Sequence, residues 1–419
     1  MPEYFPERDR PLWSDTEVRS LQKIAGSLNG TLNGDLFGRL KVSDAYTLLD
    51  TSHIYQDSGK FADDISGAGA SVGYLINQST VTLNVGTASG ERVYRESRLV
   101  FSYQPGKSLQ VLQTFVFNPA KQNLRQRVGY FSSQNGIFLQ QNGTSVSLVK
   151  RSYISGAPID LEVPQSSWNL DTMDGLGGSG VTLDLSKAQI LATEYEWLGV
   201  GTVRVSFVIN GVFIPVHDFN HANIISSVYM TSATLPIRYE IENTGITASS
   251  STMKQICASV LSNGGYQKKS LNSTARRTTT ASVGTDFHPL VSIRLASDRL
   301  NAVIMPAQYN LLPTTTGSFE YALIKNATLT GASYDTTTFP NVDFDVSATA
   351  LSGGTVVDNG YFEGSNQSSS PINFDPVYNF EYQLGRNSFT STSDIMTLAV
   401  RTLSGTNSVI GSFAFFDLT

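Results

Sequence analysis

His217-Asp-Phe-Asn-His221 sets two imidazoles four residues apart, the spacing with which a helix offers both rings to one metal ion. Here the pair directly continues a strand-like run, in which four residues span ~13 Å, so the rings do not share an ion without a sharp bend. A metalloprotease helix also carries Glu after its first His, and this chain has Asp218. The expectation is a pair of histidines held by hydrogen bonds at a strand end. Their functional alternative is contact with a glycan or a partner chain.

Other chemistry-bearing groups read the same way. Ser251-Thr-Met-Lys254 has the Ser-x-x-Lys spacing of penicillin-recognising enzymes, but the companion Ser-Asp-Asn and Lys-Thr-Gly motifs are absent and Ser251 sits where a helix cap belongs. Asp160 with Glu162, Asp171 with Asp174, and Glu194 with Glu196 are carboxylate pairs of the sort glycoside cleavage needs. Alternating acids on strands are ordinarily the wet face of a sheet. The Asp171–Asp174 loop lacks the spacing of a helix-loop-helix calcium site. Leu176-Gly-Gly-Ser-Gly180 lacks the following Lys-Ser/Thr of a phosphate cradle and reads as a tight loop. Tyr195, Trp197 and Tyr229 are the aromatics that would make a sugar platform if exposed, and core residues if not. No catalytic residue, metal ligand or cofactor is assigned, and the chain reads as a non-enzyme.

Composition narrows the partners. In 419 residues charged side chains make up 15%, against ~25% in a typical soluble domain. The net charge is −6 and the 29 Lys and Arg are scattered, which excludes a phosphate-backbone binder. The single cysteine, Cys257, excludes an internal disulfide and a multi-thiolate zinc site. No run approaches the ~18 apolar residues that span a bilayer, and Met1–Arg10 lacks the apolar core of a secretory signal, so synthesis in the cytoplasm without membrane insertion is expected. The six Asn-x-Ser/Thr sequons are then a by-product of an Asn-, Ser- and Thr-rich chain.

The elements that must position these groups are mostly strands. Ser79–Val85 and Val111–Phe117 alternate apolar and polar residues. Val203–Ile209 and Val212–His217 flank Asn210-Gly211, which predicts a two-residue hairpin turn, and Pro215 predicts a strand at an edge or one paired through its other side. Two helices are expected. One starts at Ser14, with Glu17 completing a capping box. The other is a connector from Ser251, with Met253, Ile256, Cys257, Val260 and Leu261 on one face. The fold class is all-β, with two β-sandwich domains of jelly-roll or lectin-like type plus these two short helices. The expected domains are an N-terminal arm and helix (1–45), a larger sandwich (46–265), a polar linker (266–286) and a smaller sandwich (287–419). Tyr4, Phe5 and Trp13 in the arm are candidate docking residues.

Several longer runs go further: Phe37–Ser43, Thr47–Asp50, Arg98–Ser108, Arg127–Phe131, Gly180–Gln189, Glu196–Gly201, Phe219–Asn223, Val228–Ser232 and Leu235–Asn243. In these the chain resembles the uncharacterised virion structural proteins of tailed bacteriophages, chiefly over residues 37–265, with Asp218 where that family usually has Glu. The resemblance implies a component of head, tail or baseplate, working as a symmetric homo-oligomer of trimer or hexamer type beside other virion proteins. It carries over no catalytic residue. The alternative expectation is a lectin-like tail component that binds host-surface glycans.

Overall fold

The computed structural model of the protein describes residues 44–267, 271–364, 370–373 and 382–419. Among them no α-helix occurs, and none is long and apolar enough to cross a membrane. The architecture is all-β, with antiparallel pairing throughout the named strands.

Residues 46–263 form a larger sandwich. Its eight-stranded sheet runs, in spatial order, Val212–Phe219, Val203–Ile209, Gln189–Tyr195, Ser108–Val116, Ser251–Asn263, Thr80–Val85 and Ser71–Leu75, with Tyr46–Thr51 also paired to Ser251–Asn263. The facing seven-stranded sheet runs Ile159–Pro164, Ser145–Ser152, Gly136–Asn142, Leu124–Phe131, Ile237–Asn243, Arg92–Ser97 and Phe61–Ser66. Every second residue of these strands points inward. Val81, Leu83, Phe115, Val128, Leu139, Phe207, Ile237 and Tyr239 therefore meet in one core, each at 0% exposure.

The predicted hairpin is present: Asn210 and Gly211 have φ of 53° and 79°, the doubly positive turn that their residue types permit. Pro215 lies on Val212–Phe219, an edge strand of the eight-stranded sheet, where a missing N–H leaves no ladder bond open.

Two expectations fail. The connector helix from Ser251 is a thirteen-residue strand, Ser251–Asn263, whose buried positions alternate along most of its length. A bulge between Gln255 and Cys257 shifts its register and puts Met253 and Val260, seven residues apart, on the same buried face, while Ile256 and Cys257 lie outside that face. Ser251 and Lys254 then point to opposite faces, which removes the Ser-x-x-Lys geometry. Lys254 Nζ donates to Gln78 Oε1 instead, at 2.8 Å. The polar linker 266–286 holds strands Leu271–Arg276 and Ala281–Val283, both paired to Asn407–Asp417. Among its described residues Ala275, Ala281 and Val283 are the buried apolar side chains, too few and too small to register as periodicity. The Ser14 helix and the docking residues Tyr4, Phe5 and Trp13 lie outside the described residues.

The C-terminal sandwich packs Leu271–Arg276, Asn407–Asp417, Ile304–Pro313 and Ser370–Asn373 against a five-stranded sheet of Val342–Asp345, His288–Leu295, Ile395–Thr402, Gly317–Lys325 and Thr355–Gly364. Its core is separate, centred on Leu290, Ile293, Phe319, Leu323, Leu398 and Phe413. Val303 and Met305 instead join the core of the larger sandwich, so the two units pack on each other.

Candidate functional site

The histidines are both occupied, and by different partners. His217, at the end of its edge strand, accepts the Asn169 N–H on Nδ1 at 3.2 Å and meets the Phe219 ring edge-on at 4.5 Å. His221 lies beyond that strand. Its Nδ1 donates to the Gly201 carbonyl at 2.7 Å, which leaves Nε2 to accept from the Lys150 ammonium at 3.0 Å. Its ring stacks on Tyr229 at 3.9 Å and 4°. Burial, reinforced by the Lys150 charge, pushes His221 down to about 4 against the pull of the Gly201 carbonyl, and burial also lowers His217. Two neutral imidazoles committed to separate partners make no chelate. Among the described residues no group of three or more His, Cys, Asp or Glu is placed to hold a metal.

The aromatic platform does not form either. Tyr195 is fully buried, donates from its hydroxyl to the Tyr130 carbonyl at 3.2 Å and packs edge-on against that ring, so it is a core residue. Tyr229 is buried beneath His221, and Trp197 is half-buried against Tyr103.

The carboxylate pairs part ways. Asp160 is clamped by Arg151 through two bonds of 2.7 and 2.8 Å. Asp171 accepts the N–H groups of Met173 and Ser179 at 2.8 and 2.7 Å, so it organises its own loop. Gly177 is required there, because a Cβ at that position would sit 2.3 Å from Asp171 Oδ1. These backbone donors offset burial and hold Asp171 below the usual carboxylate range.

A stronger constellation lies on the outer face of the seven-stranded sheet, on residues the sequence did not single out. Arg238 and Glu240 alternate with the inward Ile237, Tyr239 and Ile241, and Glu96 lies directly across from Arg238 on the neighbouring strand. Arg238 donates Nη1 to Glu96 Oε2 at 2.6 Å and Nε to Glu240 Oε1 at 2.7 Å. Arg127 completes Glu240 at 3.3 Å. Arg386, from the C-terminal sandwich, donates to the other Glu96 oxygen at 2.6 Å, and Ser388 adds a bond of 2.9 Å. Every one of these charges is buried. The arginines outweigh desolvation at Glu240 and hold its carboxyl below its ordinary value. A general acid for glycoside cleavage needs the opposite shift.

The joint extends along the chain from Glu96. Arg386 also donates its backbone N–H to the Arg98 carbonyl at 2.8 Å and Nη1 to the Ser97 carbonyl at 3.0 Å, and Gln383 donates to the Val100 carbonyl at 2.9 Å. Beside it opens a cleft of about 900 Å³ between the sandwiches. One wall is Tyr46–Asp50, Ser58–Lys60, Arg98 and Leu99, and the other is Lys325, Asn326 and Asp394. Asp394 is buried and accepts from Arg98 at 2.6 Å, from Lys325 and Asn326 at 2.9 Å each, and from the Gly385 N–H at 3.1 Å.

No family model matches the chain, and no curated protein matches it. Among solved structures, it is similar to a legume lectin-like domain from Entamoeba histolytica, at 9% identity and TM-score 0.32, over 52% of this chain and 98% of that one. It is similar to Bacillus licheniformis β-glucanase at 8% and 0.33, over 52% and 98%, and to lectin II from Ulex europaeus at 8% and 0.31, over 53% and 100%. Similarity at this level assigns no residue, ligand or reaction here.

Taken by chemistry, the outer-face carboxylates are structural anions. The cations around the cleft keep bonding capacity to spare. An ammonium carries three N–H donors and a guanidinium five, and Asp394 engages a single N–H group of Arg98 and the ammonium of Lys325 by one contact.

Proposed function

We propose that the chain is a non-catalytic structural subunit of a tailed-phage particle, made in the host cytoplasm and working as one copy in a symmetric homo-oligomer beside other virion proteins. The observation that carries this reading is the Glu96–Arg238–Glu240 knot closed by Arg386. Two carboxylates on one sheet of the larger sandwich are here engaged by arginines, and one of them, Glu96, is bonded to the other sandwich through Arg386. That arrangement supports rigidity, which a repeated building block needs, and it disfavours hydrolysis.

A second feature agrees. Ile159 and Leu161 on one edge strand, and Val212 and Phe213 on another, are exposed apolar residues on sheet edges that are unpaired among the described residues, a feature that suits contact with neighbouring copies. The phage assignment itself rests on the resemblance of residues 37–265. Quantitative mass spectrometry of purified virions tests it, with the chain expected in a multiple of three or six copies per particle. Its absence from virions overturns the reading.

The cleft between the sandwiches favours a second reading, in which the same subunit binds host-surface glycans.

A further inference from the structure

We propose that the cleft between the two sandwiches is a binding site for an acidic oligosaccharide. The inference rests on the glycan-binding reading and names its site and ligand class.

Charge is the first argument. Lys60, Arg98 and Lys325 face the cleft against Asp50 and Asp394, an excess of one positive charge in a chain whose net charge is −6. Asp394 does not compete for an incoming ligand, because two cations and two N–H groups already surround it. Lys60 is half-exposed and held by the Asp50 carbonyl at 2.9 Å, with the Asp50 carboxylate at 3.5 Å and 85% exposed. An arriving carboxylate or sulfate displaces that loose, solvated partner at little cost.

Shape and lining are the second argument. A volume of about 900 Å³ lies within the range of ligand clefts, ~300–1,000 Å³. The walls mix the hydroxyl residues Thr47 and Ser58 with the apolar Leu99 and the aromatic Tyr46. Hydroxyl groups and a C–H face are what a sugar ring presents, whereas extended peptides ask for side-chain pockets along the groove. Because the two walls come from different sandwiches, the fixed joint at Glu96 and Arg386 sets their separation before any ligand arrives.

The test uses the full chain on an array of uronate-, sialate- and sulfate-bearing glycans beside neutral ones, followed by calorimetric titration with trigalacturonate. Acidic glycans are expected to bind, and binding is expected to weaken at high salt. Lys60→Glu is expected to weaken trigalacturonate about tenfold or more, because it replaces attraction by repulsion at contact distance. Lys254→Glu, on the eight-stranded sheet and outside the cleft lining, is expected to leave it unchanged. Neutral glycans binding as well as acidic ones, or binding indifferent to Lys60→Glu, would overturn the site while leaving glycan recognition standing. No glycan binding at all overturns both. Displacement of trigalacturonate by a short Glu-Thr repeat peptide of higher affinity would reassign the cleft to an acidic protein partner, which also overturns the proposal.

Discussion

Glu96 and Arg98 are two residues apart in sequence and have opposite fates. Glu96, with a side chain 2% exposed, has both oxygens engaged by arginines from separate sandwiches. Arg98, 29% exposed, holds Asp394 through one nitrogen and opens onto the cleft with the rest of its guanidinium. The difference is one of solvent. A charge taken out of water must have its bonding capacity filled by the protein, or the fold loses several kcal/mol. A charge left at the mouth of a cleft keeps water as its partner and can exchange it for a ligand. At this junction, then, Glu96 spends its whole bonding capacity on fastening, whereas Arg98 spends one nitrogen on Asp394 and keeps the other donors for water or a ligand.

The largest test of that contrast is at the fastening. Arg386→Ala leaves one oxygen of Glu96 without its guanidinium inside the joint, and should cost about 3–5 kcal/mol in denaturant unfolding. The C-terminal sandwich should then become cleavable by protease at lower denaturant than the larger one. A loss below about 1 kcal/mol, the value of an exposed pair, would show that water reaches the joint and would erase the distinction from the cleft.

How far the sequence foretold these two regions follows from the range of their contacts. The hairpin at Asn210-Gly211 and the edge strand with Pro215 are local events, set by residues that touch within a few positions, and the structure has them as expected. The strand Ser251–Asn263 mimics a helix because its apolar residues are split between two faces: Met253 and Val260 are buried, brought into phase by the bulge, while Ile256, Cys257 and Leu261 are not. The joint was invisible for another reason. Glu96 meets Arg238 across 142 residues and Arg386 across 290, and no pattern in one chain announces such partners. Only the alternation of Arg238 and Glu240 with Ile237, Tyr239 and Ile241 hinted that a sheet face carries charges. Tyr195 and Trp197 were ambiguous in principle, since an aromatic on a strand looks the same whether it faces core or solvent.

A middle-sized effect comes from His221, whose titration separates buried from available nitrogen. An unfolded histidine titrates near 6.5 and the folded one near 4, so between those values the unfolded chain binds the extra proton. Stability is therefore whole above about pH 6.5 and falls as the pH drops toward 4, by on the order of 2 kcal/mol. The groups facing the ring agree with that sign: the Lys150 ammonium repels a protonated imidazole, and Tyr229 stacks over it away from water. Urea unfolding at neutral and at mildly acid pH measures the slope, and His221→Gln should flatten it. A slope unchanged in that variant assigns the acid sensitivity to other groups.

The smallest effect is expected at Lys60, and its smallness is the point. If the cleft cations are available rather than structural, Lys60→Glu should shift the unfolding free energy by no more than about 0.5 kcal/mol. Its present partner, Asp50, is exposed and reached at 3.5 Å, a geometry whose measured worth in other proteins centres near zero to ~1 kcal/mol. The reversed charge also meets Asp50 with its side chain in water, where rotation away relieves the repulsion. Arg386→Ala and Lys60→Glu each remove one cation from the region between the sandwiches, so unequal losses isolate burial as the cause. Should Lys60→Glu instead destabilise the protein by as much as Arg386→Ala, the cleft would be a second fastening, and a loss of acidic-glycan binding in that variant would report unfolding rather than recognition.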